Sequence, residues 1–257
     1  MCLAVIYVHA APGQALLVAA NRDEFHERPT RALAEWIDAP GVFAGRDAVA
    51  GGTWMGATRS ARFALVTNYR EPGVHIPPDA PSRGALVARF LQGADTPEDY
   101  LLQLAADMHR YAGFNLVVGD AEAVWYVSNR GPAARRLSPG RYALSNHLLD
   151  SPWPKSVATQ ARIDTVLAQA GTPDDDALFS ALRNRDVAHD DALPSTGLSL
   201  ERERLLSSAF IISPTYGTRA STLYALRDDG HARYVERTYD ATGEPIGEHA
   251  EVWRASV

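Results

Sequence analysis

Cys2-Leu3-Ala4-Val5-Ile6-Tyr7-Val8-His9-Ala10, then Ala11-Pro12-Gly13, then Ala15-Leu16-Leu17-Val18-Ala19-Ala20-Asn21-Arg22-Asp23-Glu24, is the stretch on which the fold turns. Residues 3–8 are rich in β-branched and aromatic types, which predicts a buried strand over 2–10. The Pro-Gly turn sends the chain back, and residues 15–20 predict a second strand, so the protein opens on a β-hairpin. That strand runs directly into the polar tetrapeptide Asn21-Arg22-Asp23-Glu24. In an antiparallel hairpin, residues near 20–23 lie opposite the first few residues of the chain.

Outward from the hairpin, residues 52–58 and 63–69 predict strands, and 71–81, with four prolines, predicts a loop. Ser82 is a candidate N-cap for a helix over 84–91. Thr96-Pro97-Glu98-Asp99 has the cap, first-turn proline and acidic first turn of a second helix start. Strands return at 114–118, 123–128 and 141–145. Helices are expected over 155–170 and 175–183, and segment 186–204 reads as loop. Residues 209–212, 221–226, 232–239 and 251–254 read as strands. Many antiparallel-type strands interrupted by two pairs of helices indicate an α+β layered architecture, and no linker or repeat divides residues 1–257 into more than one domain.

Composition narrows the function. The 257 residues carry 25 Lys+Arg against 31 Asp+Glu, a net charge of −6, so there is no general attraction to nucleic acid or anionic lipid. Lys155 is the only lysine, so a lysine nucleophile or Schiff base would have to be that residue. The single cysteine, Cys2, excludes an intramolecular disulfide and any multi-cysteine metal site. The eight histidines show no HExxH spacing and there is no Walker A loop, so no cofactor or metal is expected. No apolar run approaches a membrane span and no basic secretory leader opens the chain, which makes the cytoplasm the expected location.

The position of the sole cysteine carries the chemistry. Removal of the initiator methionine would make Cys2 the first residue and put a thiol and a free α-amine on one carbon. An unperturbed α-amine has a pKa of about 7.7–8.0, so it can take the thiol proton and serve as the general base a thiol nucleophile needs. The alternative is a small apolar residue opening a buried strand. Arg22 beside Cys2 would favour the thiolate, and Asp23 could hold the α-ammonium or orient Arg22; read by itself, such a tetrapeptide is more often a solvated turn, and its match in register with Cys2 is what points to the site. Asn68 and Asn146 end expected strands, where an amide donor can stabilise an oxyanion or simply cap a turn. Arg219, in Tyr216-Gly217-Thr218-Arg219, either reaches the same site or forms a strand-to-strand turn. Trp54, Trp125 and Trp153 read as core.

Taken together, Met1-Cys2, Asn21-Arg22-Asp23-Glu24, Gly51-Gly52-Thr53-Trp54, Thr67-Asn68-Tyr69-Arg70, Ser145-Asn146 with Pro152-Trp153-Pro154-Lys155, and Tyr216-Gly217-Thr218-Arg219 resemble the NRDE family, also called the transport-and-Golgi-organisation protein 2 family, nearly end to end. The resemblance implies an N-terminal-nucleophile hydrolase fold, a four-layer αββα sandwich of two antiparallel sheets between helical layers. Eukaryotic members are linked to secretory organisation, haem mobilisation and acyl-CoA or lipid metabolism. A more distant similarity to choloylglycine hydrolase and penicillin V acylase implies that Cys2, Arg22, Asp23, Asn68, Asn146 and Arg219 take the catalytic places, although that group spaces its Arg and Asp further apart.

Two readings follow. In the first, the protein is a cysteine hydrolase of a non-peptide amide or related acyl bond in a small-molecule substrate. In the second, it is a carrier whose arginines contact haem, acyl-CoA or another acidic amphiphile, with Cys2 or a histidine as an axial ligand for haem. A trafficking or scaffold role rests on the family resemblance alone.

Overall fold

The computed structural model describes residues 2–169 and 174–256. Met1 and Ala170, the last residue of the third expected helix, lie outside them. β1 (Cys2–Ala11) and β2 (Gln14–Phe25) form the opening hairpin, with Cys2 opposite Arg22 and Ala4 opposite Ala20. The chain then crosses to a second sheet and builds it in order: β3 (Thr30–Glu35), β4 (Val42–Asp47), β5 (Met55–Thr58), β6 (Phe63–Asn68), β7 (Phe114–Gly119), β8 (Val124–Ser128) and β9 (Arg135–Arg136). Between β6 and β7 lie α1 (Gly84–Gln92) and α2 (Pro97–Leu104).

Returning to the first sheet, β10 (Gly140–Leu144) pairs with β1. After α3 (Pro154–Leu167), α4 (Asp175–Leu182) and α5 (Leu200–Leu205), β11 (Tyr216–Arg227) pairs with the other edge of β2, and β12 (His231–Tyr239) and β13 (Pro245–Arg254) complete the order β10-β1-β2-β11-β12-β13. All pairs are antiparallel.

Strand alternation sorts the side chains into layers. Ala4, Ile6, Val8, Leu16, Val18 and Ala20 point toward the second sheet, where Phe63 stacks on Tyr224 at 5.1 Å and Phe43 on Trp253 at 4.4 Å. Val5, Tyr7, Leu17 and Ala19 point the other way, against Ile163 of α3 and Leu178, Phe179 and Leu182 of α4. On the far side, α1 and α2 cover the second sheet through Leu86, Val87, Phe90, Leu101 and Leu104. Each large side chain so buried contributes about 1.5–3 kcal/mol of transfer free energy. The result is the αββα sandwich, helices outside and two sheets within. No helix among the described residues is long and apolar enough to cross a membrane.

Several local expectations change. Asn21-Arg22-Asp23-Glu24 lies inside β2 rather than after it, because β1 and β11 pair with it on both edges. β3 and β4 arise where no strand was expected; their sequences are short and flanked by polar residues. Residues 209–212 do not form a strand: they are buried and begin in a bend, and their backbone is held by Asn184 and the Thr218 side chain instead of a ladder. The polar segment 186–204 contains a 3-10 turn and the start of α5, capped by Ser199. Ser82 does not cap α1; Arg83 occupies the cap position without a side-chain bond, whereas Thr96 accepts from the Asp99 N–H as expected. A Cβ on Gly52 would lie 2.5 Å from the Gly84 carbonyl carbon, so the Gly51–Trp54 loop and the start of α1 touch backbone to backbone.

Candidate active site

Cys2 opens β1, on the face that looks toward the second sheet, directly across from Arg22. The residue is 8% exposed, and its carbonyl accepts a 3.1 Å bond from the Ser145 hydroxyl just beyond β10. Burial pushes the thiol above its ordinary value, and the Asp23 carboxylate adds to that. The Arg22 guanidinium and a hydrogen bond from the Asp23 N–H act in the opposite direction.

Asn21 and Asp23 occupy the other face of β2. Asn21 is fully buried and fully used: its amide donates to the Leu182 and Ala209 carbonyls at 2.9 and 2.8 Å and accepts from Ser221 at 2.6 Å. Asp23 accepts a 2.7 Å bond from the Thr218 hydroxyl, which in turn accepts from the Ile211 N–H. Burial raises the Asp23 carboxyl, against Lys155, Thr218 and Arg22, which favour its charged form. Tyr216 stands beside this group, its hydroxyl pushed well above the ordinary value by burial and by the negative charges of Asp23 and Cys2.

Next to Asp23 lies a buried ionic cluster. Arg70, just past β6, pairs with Glu203 of α5 at 2.7 Å and lies over the Trp153 ring. Glu203 also accepts from the Thr196 N–H at 3.0 Å. Lys155, in the first turn of α3, is 3% exposed. Arg83 approaches from the start of α1, near enough for Cys2, Glu24 and Glu71 to favour its charge against burial, and donates to the Gly113 carbonyl at 3.1 Å.

The two strand-end asparagines come together. Asn146 is fully buried and its amide donates to the Asn68 carbonyl at 3.0 Å, while Asn68 is half-buried. Thr67 donates to the Ser145 carbonyl at 2.7 Å, and the Arg70 N–H to the Asn146 carbonyl at 2.7 Å. These bonds join the end of β6 in one sheet to the end of β10 in the other. Ser145 links them to Cys2.

Arg219 sits at a β-bulge. Asp23 faces Thr218 and Arg22 faces Ala220, which leaves Arg219 as an extra residue in the ladder. Its guanidinium donates to the Phe25 and Arg28 carbonyls at 2.9 and 3.1 Å. With Arg22, Trp54 and Glu236 it lines a cavity of about 180 Å³ between the sheets. Burial raises the Glu236 carboxyl to about 7, despite the Leu33 N–H and Arg22. Arg219 therefore borders Arg22 through this cavity, while Cys2, Arg22, Asp23, Asn68 and Asn146 gather at the common end of the two sheets.

Sequence reasoning did not assign site places to Ser145, Thr218, Arg70, Lys155, Glu203, Arg83 or Tyr216. Arg70, Ser145, Lys155, Tyr216 and Thr218 do stand within the motifs that carry the family resemblance, and Lys155 is also the only lysine; nothing local marks Arg83, or Glu203 as buried within a charged run. No group of three or more His, Cys, Asp or Glu among the described residues is placed to hold a metal ion.

Comparison with known proteins agrees with this architecture. The family described as Transport and Golgi organisation 2 matches residues 1–241. The Transport and Golgi organization protein 2 homolog of Bos taurus is 36% identical over 241 residues, covering 87% of this chain and 86% of the relative. The Homo sapiens homolog is 33% identical over 239 residues with the same coverage. Among solved structures, the Caenorhabditis elegans N-acylethanolamine-hydrolyzing acid amidase ortholog superposes with a TM-score of 0.52 at 12% identity, covering 86% of this chain and 92% of that one. The shared fold is that of the N-terminal-nucleophile hydrolases.

Proposed function

The chain belongs to the Transport and Golgi organisation 2 family, and from that premise we propose that it is a cysteine N-terminal-nucleophile hydrolase of a non-peptide amide or related acyl bond. One observation carries the reading: the only thiol of the chain lies at the end of β1 where Arg22, Asp23 and the Asn68–Asn146 pair converge. The bond class is supported by the acid amidase that shares the fold.

With the initiator methionine removed, the Cys2 α-amine takes the thiol proton and the sulfur attacks the substrate carbonyl. The carbonyl electron pair moves to oxygen, and the amides of Asn68 and Asn146 hold the oxyanion. A single donor of this kind is worth roughly 10²–10³ in rate. Collapse expels the amine, which takes the proton from the α-ammonium and leaves a thioester on Cys2. Water, deprotonated by the same α-amine, releases the acid. Arg22 favours the thiolate and Asp23 holds the α-ammonium, while Arg219 adds positive charge beside Arg22 from the bulge, itself held by the Phe25 and Arg28 carbonyls.

Intact-mass spectrometry tests the reading. The purified protein is expected to lack its initiator methionine and to gain one acyl adduct from an activated acyl probe. A folded Cys2→Ala variant is expected to gain none and to have no turnover. A retained methionine, or an adduct that persists in Cys2→Ala, overturns the proposal; retained haem or acyl-CoA binding without acylation would favour the carrier instead.

A further inference from the structure

Arg22 and Glu236 line the same inter-sheet cavity without pairing. Both are buried, and among the described residues the ion pair of Arg22 is a long one, 3.9 Å to Glu24. Its Nη1 has no hydrogen-bond partner there. Glu236 accepts from the Leu33 N–H through Oε1 at 2.8 Å, while Oε2 lies toward β4, where a Cβ on Gly45 would stand 3.2 Å from it. Arg219 spends Nη1 on the Phe25 and Arg28 carbonyls, and its other guanidinium nitrogens make no hydrogen bond among the described residues. Burial and the neighbouring Arg22 both disfavour its charge. Two such guanidiniums on one small cavity are costly unless an anion joins them.

The other walls set the class of anion. The volume, about 180 Å³, exceeds the roughly 150 Å³ that holds a benzene molecule, so a molecule of a few carbons fits. Trp54, Ala32 and Ala220 supply apolar surface for a short hydrocarbon stub, and a guanidinium matches the planar fork of a carboxylate. A protonated carboxyl on Glu236 offers one O–H donor, which suits a monoanion; a dianion would meet more acid than it could use. The strand order β1-β2-β11-β12 puts the cavity on the side of Arg22 away from Cys2, apart from the place of acyl transfer.

We propose that this cavity binds a small aliphatic monocarboxylate, held between the Arg22 and Arg219 guanidiniums with the protonated Glu236 carboxyl donating to it. The site goes beyond the hydrolase reading and stands whether or not Cys2 is acylated. Glu236, raised by burial to about 7, carries its proton below that pH and opposes a carboxylate above it. The charged or titratable groups packed around it are Arg22 of β2, Arg219 of β11, Tyr234 and Tyr239 of its own strand, and, on β13, its register partner His249 with Glu251 beyond. β3 and β4 present Thr30, Ala32 and Gly45 to the cavity.

Thermal unfolding tests the site with sodium propionate as the probe, against sodium chloride at equal ionic strength, propionamide and inorganic phosphate. Propionate is expected to raise the melting temperature saturably, and the other three are not. Its half-maximal concentration is expected to be about tenfold higher at pH 8 than at pH 6, the ratio of protonated Glu236 at the two values. In Glu236→Gln, whose amide donates at either pH, the two concentrations are expected to coincide, which separates Glu236 from His249. Arg219→Gln removes a cation and Ala32→Leu fills the cavity; each, checked for folding by circular dichroism, is expected to lose the propionate shift. A shift given equally by chloride or propionamide, or kept in both folded variants, overturns the proposal. A larger shift with phosphate overturns the carboxylate class, and a tenfold pH dependence that persists in Glu236→Gln overturns the role of its proton.

Discussion

The two halves of β2 are buried alike and are stabilised differently. In residues 14–20, Leu16, Val18 and Ala20 pack against the opposite sheet and Leu17 and Ala19 against the helices, so burial itself supplies the free energy. In residues 21–24 the same neighbours, β1 and β11, flank Asn21, Arg22 and Asp23, all nearly inaccessible. There burial is a cost, offset by hydrogen bonds and opposite charge. Asn21 is satisfied completely, whereas one Arg22 guanidinium nitrogen, Nη1, has no partner among the described residues. Polarity inside a strand with two paired neighbours is a mark of chemistry, because a sheet gains nothing from it.

The sharpest way to break this contrast is to unbalance the polar end. Glu203→Gln leaves the Arg70 charge buried without its counter-ion and is expected to cost about 3–5 kcal/mol in urea unfolding. A loss below about 1 kcal/mol would mean that water already neutralises the cluster. At the apolar end, Leu16→Ala is expected to cost about 2–5 kcal/mol while leaving the pH midpoint of Cys2 alkylation unchanged. A moved midpoint would show that the halves are coupled.

The mildest test concerns Glu236, beneath Arg22. Its folded-state carboxyl titrates near 7, above the ordinary 4.5, so the contribution is present in full below 4.5 and is lost as pH rises through 7. Glu236→Gln is therefore expected to gain about 2–3 kcal/mol over the wild type between pH 4.5 and 8, read as melting temperatures across that range. Parallel pH profiles for the two proteins would contradict the assignment.

Much of this could be read from the chain alone where the signal is local. The β1–β2 hairpin, the Thr96 cap and the placing of Arg22 opposite Cys2 follow from apolar runs, turn residues and antiparallel register. Partner choice between distant strands leaves no such trace: that β11 joins β2 across some 190 residues, turning an apparent polar turn into strand interior, is decided by packing. The same holds for Lys155 and Glu203, whose burial depends on α3 and α5 meeting the ends of two sheets. Residues 209–212 misled because they are apolar and buried; side chains of Asn21 and Thr218 do for them what a neighbouring strand would.

The bulge in β11 has an evolutionary corollary. Thr218 and Ala220 already face opposite sides of the sheet, as adjacent residues of an unbroken pleat would. Arg219 is thus surplus to the ladder: excising it would let the strand close up with Asp23 still against Thr218 and Arg22 still against Ala220. A lineage can therefore gain or shed a cation over the inter-sheet cavity by a single-codon insertion or deletion, leaving both hydrophobic layers untouched.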